Sequence, residues 1–227
     1  MPYIRDLFLL VFPSNCLVCG KATLHPDVVL CFACELKIPK TQFKDEENNP
    51  VSRIFWGRVP VQAGTSLFRF EKGSACQALL HELKYRGNSK AGIYLGRLLG
   101  QKLWGSAFSH CDLLVPVPLH YKKLKQRGYN QSELIARGVS EITGIPLAGD
   151  LIRRRKYQHS QTSMNRQERF ENMTKAFICG KDSIPPGDTK ILIIDDTITT
   201  GATLEACSMV LIDKYPCTIY VATVSYA

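Results

Sequence analysis

The sequence predicts an α/β fold, a parallel sheet flanked by helices, with a small cysteine-rich module ahead of it. Three observations carry that expectation. The apolar run Ile191–Ile194 has the unbroken hydrophobic character of a strand buried on both faces, and it passes through a short polar turn into a helical pattern from Ala202 to Lys214. A second apolar run, Asp112–Pro118, is followed by a basic stretch and then a helical pattern over Ser132–Thr143. Near the N-terminus, Cys16-x-x-Cys19 and Cys31-x-x-Cys34 stand eleven residues apart, a spacing that belongs to metal-stapled modules and not to a sheet.

Each element can be justified in chain order. Met1–Phe12 is apolar and reads as an amphipathic helix lying on its own protein, with a membrane-surface helix as the other reading. It does not read as a secretion signal, because Leu7–Phe12 is short and Phe12-Pro13-Ser14-Asn15 offers no small-residue cleavage site. No stretch approaches the ~20 apolar residues that cross a bilayer, so the expected location is cytoplasmic. The two Cys-x-x-Cys turns each aim two sulfurs at one point, and together they form the tetrahedron that zinc prefers. Cys16, Cys19, Cys31 and Cys34 are therefore the expected ligands of a structural Zn2+, since four thiolates leave no open position for catalysis. A redox pair would need a thioredoxin-like strand and helix around it, which this stretch lacks. His25 reads as a bystander.

Pro39–Pro50 has the polar, acidic composition of a linker. The expected division is thus 1–50 for the N-terminal helix, zinc module and linker, and 51–227 for the larger domain. Val59–Phe70 reads as one or two edge strands, and Ser74–Tyr85 and Lys90–Trp104 as helices. The first helix carries a core stripe of Leu79, Leu80 and Leu83 and ends in Lys84-Tyr85-Arg86-Gly87, with Gly87 as C-cap. That cluster suits a phosphate or a base, and equally a helix end with favourable cations. The prolines of Val115-Pro116-Val117-Pro118 stop a buried strand stiffly. Leu119–Gln131, a basic loop containing Arg127 and Gly128, then leads to a helix start and reads as an anion subsite. Arg153–Asn172 is almost free of aliphatic residues and is expected to be mobile. Ala176–Cys179 and Cys217–Ser225 complete the strands.

Charge narrows the partners. At 227 residues and 45% hydrophobic the chain can bury one good core, and its formal charge is +9. The excess is concentrated between His120 and Arg169, where eleven Lys and Arg face four Asp and Glu. A polyphosphate substrate, a nucleic acid or plain solubility each accounts for such an excess.

Lys190–Glu205 carries the sharpest chemistry. Asp195 and Asp196 fall where the strand is expected to end. Thr197, Thr199, Thr200, Gly201, Ala202 and Thr203 then lead into a helix whose N–H groups and positive dipole end suit a phosphate. The aspartates would repel that phosphate and suit neighbouring hydroxyl donors or a cation. An ordinary strand-to-helix turn with Asp as N-cap is the plain alternative.

This run resembles the phosphoribosyl pyrophosphate (PRPP) signature of the type I phosphoribosyltransferases. The resemblance places Asp195 and Asp196 on the ribose hydroxyls and Thr197–Thr203 around the 5′-phosphate. With the paired Cys-x-x-Cys, Lys84-Tyr85-Arg86-Gly87, Val115–Pro118, Arg127-Gly128-Tyr129-Asn130-Gln131 and the Gln161…Arg169…Asn172 segment, nearly the whole chain is similar to the competence protein F (ComF) family. The resemblance implies a type I phosphoribosyltransferase-like, Rossmann-like parallel sheet with an N-terminal four-cysteine zinc finger. It also implies a PRPP ligand with Mg2+, a pyrophosphate loop and lid drawing on Lys84, Arg86, Arg127, Gly128, Gln161 and Arg169, and catalytic contributions from Asp195, Asp196 and Arg127. The associated role is natural transformation, with single-stranded DNA and other DNA-uptake proteins as partners. The alternative is an active phosphoribosyltransferase or amidophosphoribosyltransferase-like enzyme of nucleotide metabolism with no DNA role. The sequence begins Met-Pro-Tyr, so no glutaminase nucleophile is expected at its start, and any acceptor-recognising hood is expected within Val51–Gly87. Tyr85 and Tyr129 are candidate stacking platforms for bases.

Overall fold

The computed structural model describes residues 14–23, 28–155 and 176–227. The expected N-terminal helix, His25, Lys156 and the segment holding Gln161 and Arg169 lie outside the described residues.

The cysteine-rich module holds a two-stranded pair, β1 (Ser14–Asn15) with β2 (Ala22–Thr23), and the short helix α1 (Phe32–Leu36). Four parallel strands then form the central sheet: β3 (Val61–Arg69), β4 (Leu113–Pro116), β7 (Thr189–Ile198) and β8 (Cys217–Tyr226), in the order β3-β8-β7-β4. Pairing in register joins Leu113–Pro116 to Ile191–Ile194, and Thr189–Ile198 to Cys217–Tyr226. A further parallel bridge, Leu114 to Leu147, extends the sheet beyond β4. The unbroken Ile and Leu run of β7, Ile191–Ile194, follows from burial on both faces. Leu192 and Ile194 join one core cluster, whereas Ile191 and Ile193 join the other.

One face is covered by α2 (Ala75–Tyr85), α3 (Ser89–Leu103) and α5 (Gln131–Thr143). The other is covered by α6 (Ala202–Ile212) and by a hairpin of β5 (Ile152–Arg154) and β6 (Phe177–Cys179). The change of face between α5 and α6 puts a crevice at the carboxyl ends of β4 and β7, where open α/β sheets bind ligands. Helices α3 and α5 are in backbone contact. Gly92, Gly96 and Gly100 line one stripe of α3, and a Cβ on Gly96 would overlap the Ile135 carbonyl oxygen of α5. This close approach fixes where α5 begins, and so where its first turn meets β7.

Within the described residues, the expected helices and strands are present with small shifts. Ser74 caps α2 by accepting from the Gln77 N–H, and Gly87, with φ of +69°, sits one residue beyond the C-cap Arg86. Val59–Phe70 forms one strand, β3. Two expectations change more. Strand β7 does not end at Ile194 but continues through both aspartates, because β8 pairs with it as far as Tyr226. The basic stretch after β4 is not all loop. It contains α4 (Tyr121–Arg127), capped by the His120 side chain at one end and by left-handed Gly128 at the other.

The linker-like segment is docked. The Thr41 N–H donates to the Leu67 carbonyl at 2.9 Å, and Lys40 bridges Phe68 antiparallel along the outer edge of β3. The Asn49 side chain is buried and donates to the Gly64 carbonyl at 2.9 Å. A polar composition here serves to satisfy an exposed sheet edge.

Candidate functional site

The acidic pair occupies the crevice. Asp195 is enclosed, and its Oδ1 accepts from Ser132 Oγ of α5 at 2.8 Å and from the Asp196 N–H at 2.8 Å. Burial, then the neighbouring Asp196 carboxylate, pushes Asp195 up from 3.8 to about 7, against the opposing pull of Ser132, the Asp196 N–H and Lys84. Asp196 meets Lys84 Nζ of α2 at 3.2 Å through Oδ2, a buried oxygen that receives no hydrogen bond. Lys84 also reaches Thr197 Oγ1 at 3.5 Å, which in turn accepts from Ser225 Oγ at 3.1 Å. Two carboxylates held this close, one disfavoured as an anion and the other with an unbonded oxygen, suit an incoming cation or hydroxyl donors. They are poorly satisfied by the protein alone.

Beyond them the chain makes the anion turn. Gly201, with φ of +75°, is the N-cap of α6, a backbone state that L side chains rarely adopt. The first N–H groups of a helix lack intrahelical partners, and Asp195, Thr197, Thr199, Thr200, Gly201, Ala202 and Thr203 line one small hollow at that end. The predicted phosphate-loop residues are thus brought together.

The brace behind this loop is not legible in the sequence. Arg58 Nη1 donates to the Thr200 carbonyl at 2.8 Å and to the Ile54 carbonyl at 3.1 Å, and its other nitrogen pairs with buried Glu205 in the first turn of α6. Ile54 and Phe55 pack against Gly201 closely enough to exclude any side chain there. Arg58 offsets an acid that would otherwise oppose an anion at the helix start. Ser132 also escapes the sequence reading, one residue past the Arg127–Gln131 motif. Neither has a local signal, since the partners that tie them to the site, Thr200 and Glu205 for Arg58 and Asp195 for Ser132, are more than sixty residues away.

The other predicted residues divide. Arg127 Nη1 donates to Gln131 Oε1 at 2.9 Å, and its guanidinium lies 5.5 Å from the centre of the Tyr85 ring. This joins the end of α4 to the end of α2 at the rim of the site. Arg86 pairs with Glu82 at 3.3 Å on its own helix. Gly128 shapes the turn between α4 and α5 and carries no side chain toward the crevice. Tyr85 is 66% exposed, with the His81 ring 5.0 Å from its own, whereas Tyr129 is half-buried and donates its hydroxyl to the Leu83 carbonyl, so it is a tie between helices and not a platform. A cleft of about 300 Å3 adjoins the loop, lined by Phe70, Gln77, His81, Tyr85, Thr197 and Thr199.

The cysteines converge as a separate centre. All four sulfurs lie within 4.8 Å of one another, and Cys19 and Cys31 are 3.7 Å apart. Four sulfurs at ~2.3 Å from one ion stand about 3.8 Å apart in a tetrahedron, so the donor set fits a metal of that kind. Burial raises the Cys16 thiol, but backbone N–H groups of Cys31, Cys19 and Val18 outweigh it and bring it down to about 6. Burial and its sulfur neighbours push Cys34 up to about 12. A shared cation would hold all four as thiolates. The knuckle closes by the Gly20 N–H donating to the Cys16 carbonyl at 2.9 Å.

Residues 127–227 match the phosphoribosyl transferase domain family. Competence protein F of Haemophilus influenzae is 31% identical over 102 residues, a match that spans 44% of this chain and 44% of that protein. DNA utilization protein YhgH of Salmonella typhimurium is 26% identical over 210 residues, covering 91% of this chain and 87% of the relative. Among solved structures, an adenine phosphoribosyltransferase is similar at 15% identity and a TM-score of 0.39, covering 65% of this chain and 75% of the other. Among the described residues no helix is long and apolar enough to cross a membrane. The chain thus carries a phosphoribosyltransferase-type domain over residues 127–227, behind a four-cysteine module, and is similar to competence protein F and to DNA utilization protein YhgH.

Proposed function

We propose that the protein binds PRPP at the crevice and acts in DNA uptake, on the cytoplasmic side, in the handling of incoming single-stranded DNA. The observation that carries the ligand is the meeting of Asp195, Asp196, Ser132 and Lys84 at the mouth of a glycine-started helix. In this reading the Thr197–Thr203 loop takes the 5′-phosphate, and the two carboxylates take the ribose hydroxyls. Lys84, Arg86, Arg127 and Gly128 border the pyrophosphate, with Gln161 and Arg169 joining them. Residues 1–50 form the Zn2+-holding part and 51–227 the PRPP-holding part. Mg2+, bound with PRPP, would supply charge neutralisation on the departing diphosphate. The role in DNA uptake rests on the names of the relatives and on the +9 charge.

Calorimetry with PRPP and Mg2+ tests the ligand. The native chain is expected to bind, and Asp195→Asn/Asp196→Asn to lose most of that affinity. Absence of heat with the native chain ends the reading. The cleft beside Thr197 and Thr199 favours a second reading, transfer of the ribosyl group to an acceptor. In that reaction the C1–O bond to pyrophosphate breaks as the acceptor's lone pair forms the new C1 bond. Release of pyrophosphate only when an acceptor is added is its signature.

A further inference from the structure

We infer that α4, with the aromatic rings at its two ends, is the surface on which a single strand of DNA lies as it passes the PRPP crevice. This rests on the DNA-handling reading above and specifies its contact.

Helix α4 buries none of its residues. A helix is normally held in place by burying an apolar face, and this one of seven residues leaves even Tyr121 and Leu124 exposed. It holds Lys122, Lys123, Lys125 and Arg127 and no acid. Among the described residues none of these four cations forms an ion pair with a carboxylate. The nearest acid in sequence, Glu133, is paired at 2.6 Å with Arg137. Lys122 and Lys123 stand in the first turn, where the helix dipole disfavours cations. Local positive potential registers on His120, held below its ordinary value by burial and then by Arg154, Lys122 and Lys123.

Aromatic rings frame these charges. Tyr121 is 42% exposed and stacks on His120 with centroids 4.7 Å apart. At the other end, exposed Tyr85 lies under Arg127. Cations with no carboxylate partner among the described residues, set between exposed rings, match a flexible polyanion with planar bases: phosphates meet the lysines, and bases stack on Tyr121 and Tyr85. A duplex keeps its bases stacked inside and would leave the rings unused. A small diphosphate would need one or two of these cations, not the whole solvent-facing row.

The test uses the full chain and a fluorescent oligothymidylate titrated at several salt concentrations, beside PRPP and Mg2+ calorimetry. Lys122→Glu/Lys123→Glu/Lys125→Glu is expected to weaken DNA binding by about tenfold or more and to reduce the salt slope by about two. Tyr121→Ala should weaken binding about fivefold with the slope kept. The Gln triple variant, milder for the helix, should fall between the Glu triple and the native chain, with an unchanged thermal midpoint. Undiminished DNA affinity in the Glu triple overturns the inference while leaving the DNA reading standing. A native chain that binds PRPP but no oligonucleotide overturns both. Lost PRPP binding with DNA binding intact assigns the lysines to pyrophosphate and also overturns it.

Discussion

The cysteine module and the phosphate crevice hold their geometry by opposite means. In the module, four ligands from two short turns within nineteen positions converge on one point, with Val29, Leu30 and Ile38 beside them joining the cluster that α2 and α3 build. In the crevice, the main supports are remote in sequence: Ser132 for Asp195, Lys84 for Asp196, Arg58 for the loop carbonyl and Glu205. The first is a local code whose donor set fits a metal. The second is a product of packing, and it is under-satisfied where ligand is expected. A site made by ligation should collapse when the metal leaves, whereas a site made by packing should fail through its supports.

Metal removal is the largest break. A strong chelator is expected to abolish amide-exchange protection over 14–23 and 28–38 while β7 and β8 stay protected, since metal binding supplies ~10–16 kcal/mol in small zinc peptides. Loss of protection across the whole sheet would show that the two regions are one cooperative unit. Next, Gly96→Ala should destabilise the core by about 3 kcal/mol in denaturant melts, because the added methyl meets backbone. Zinc stoichiometry should stay the same.

The acid pair gives a pH signature. Asp195 binds its proton more tightly folded, at about 7, than unfolded, near 3.8. Folded-state stability should therefore fall as pH rises from about 4 to about 7, by on the order of 4 kcal/mol, and then level off. In Asp195→Asn that fall should be missing, and PRPP with Mg2+ should suppress it in the native chain; parallel melts across pH decide the matter. The smallest effect is expected of Arg58→Ala. Partial exposure of Arg58 limits the stability loss to about 1 kcal/mol, but PRPP affinity should drop because Glu205 is left facing the phosphate. Adding Glu205→Gln should recover much of that affinity, and failure to do so would remove Arg58 from its bracing role.

Much of this is legible in the chain. The strand–turn–helix at Ile191–Lys214, the paired Cys-x-x-Cys and the order of helices and strands all rest on short-range patterns, and short-range patterns survive in sequence. The end of β7 is hidden because apolar character stops at Ile194 while backbone pairing to β8 continues through the aspartates to Ile198. Helix α4 reads as loop because it has no apolar stripe to announce it. Tyr129 reads as a platform because its burial depends on α2, forty-six residues earlier at Leu83. The stripe of Gly92, Gly96 and Gly100 is visible as a spacing, yet its meaning requires the partner helix.

The sequence by itself determined which ions and groups this protein is built to meet: four thiols for a metal, a glycine-started helix for a phosphate, two carboxylates for hydroxyls or a cation. Those depend on residue type and on spacings of a few positions. Tertiary structure decided how the carboxylates differ, one drawn toward its protonated form beside Ser132 and the other paired with Lys84, and which cations have no carboxylate partner among the described residues. Burial and long-range pairing set both, and neither is a property of any short stretch of chain.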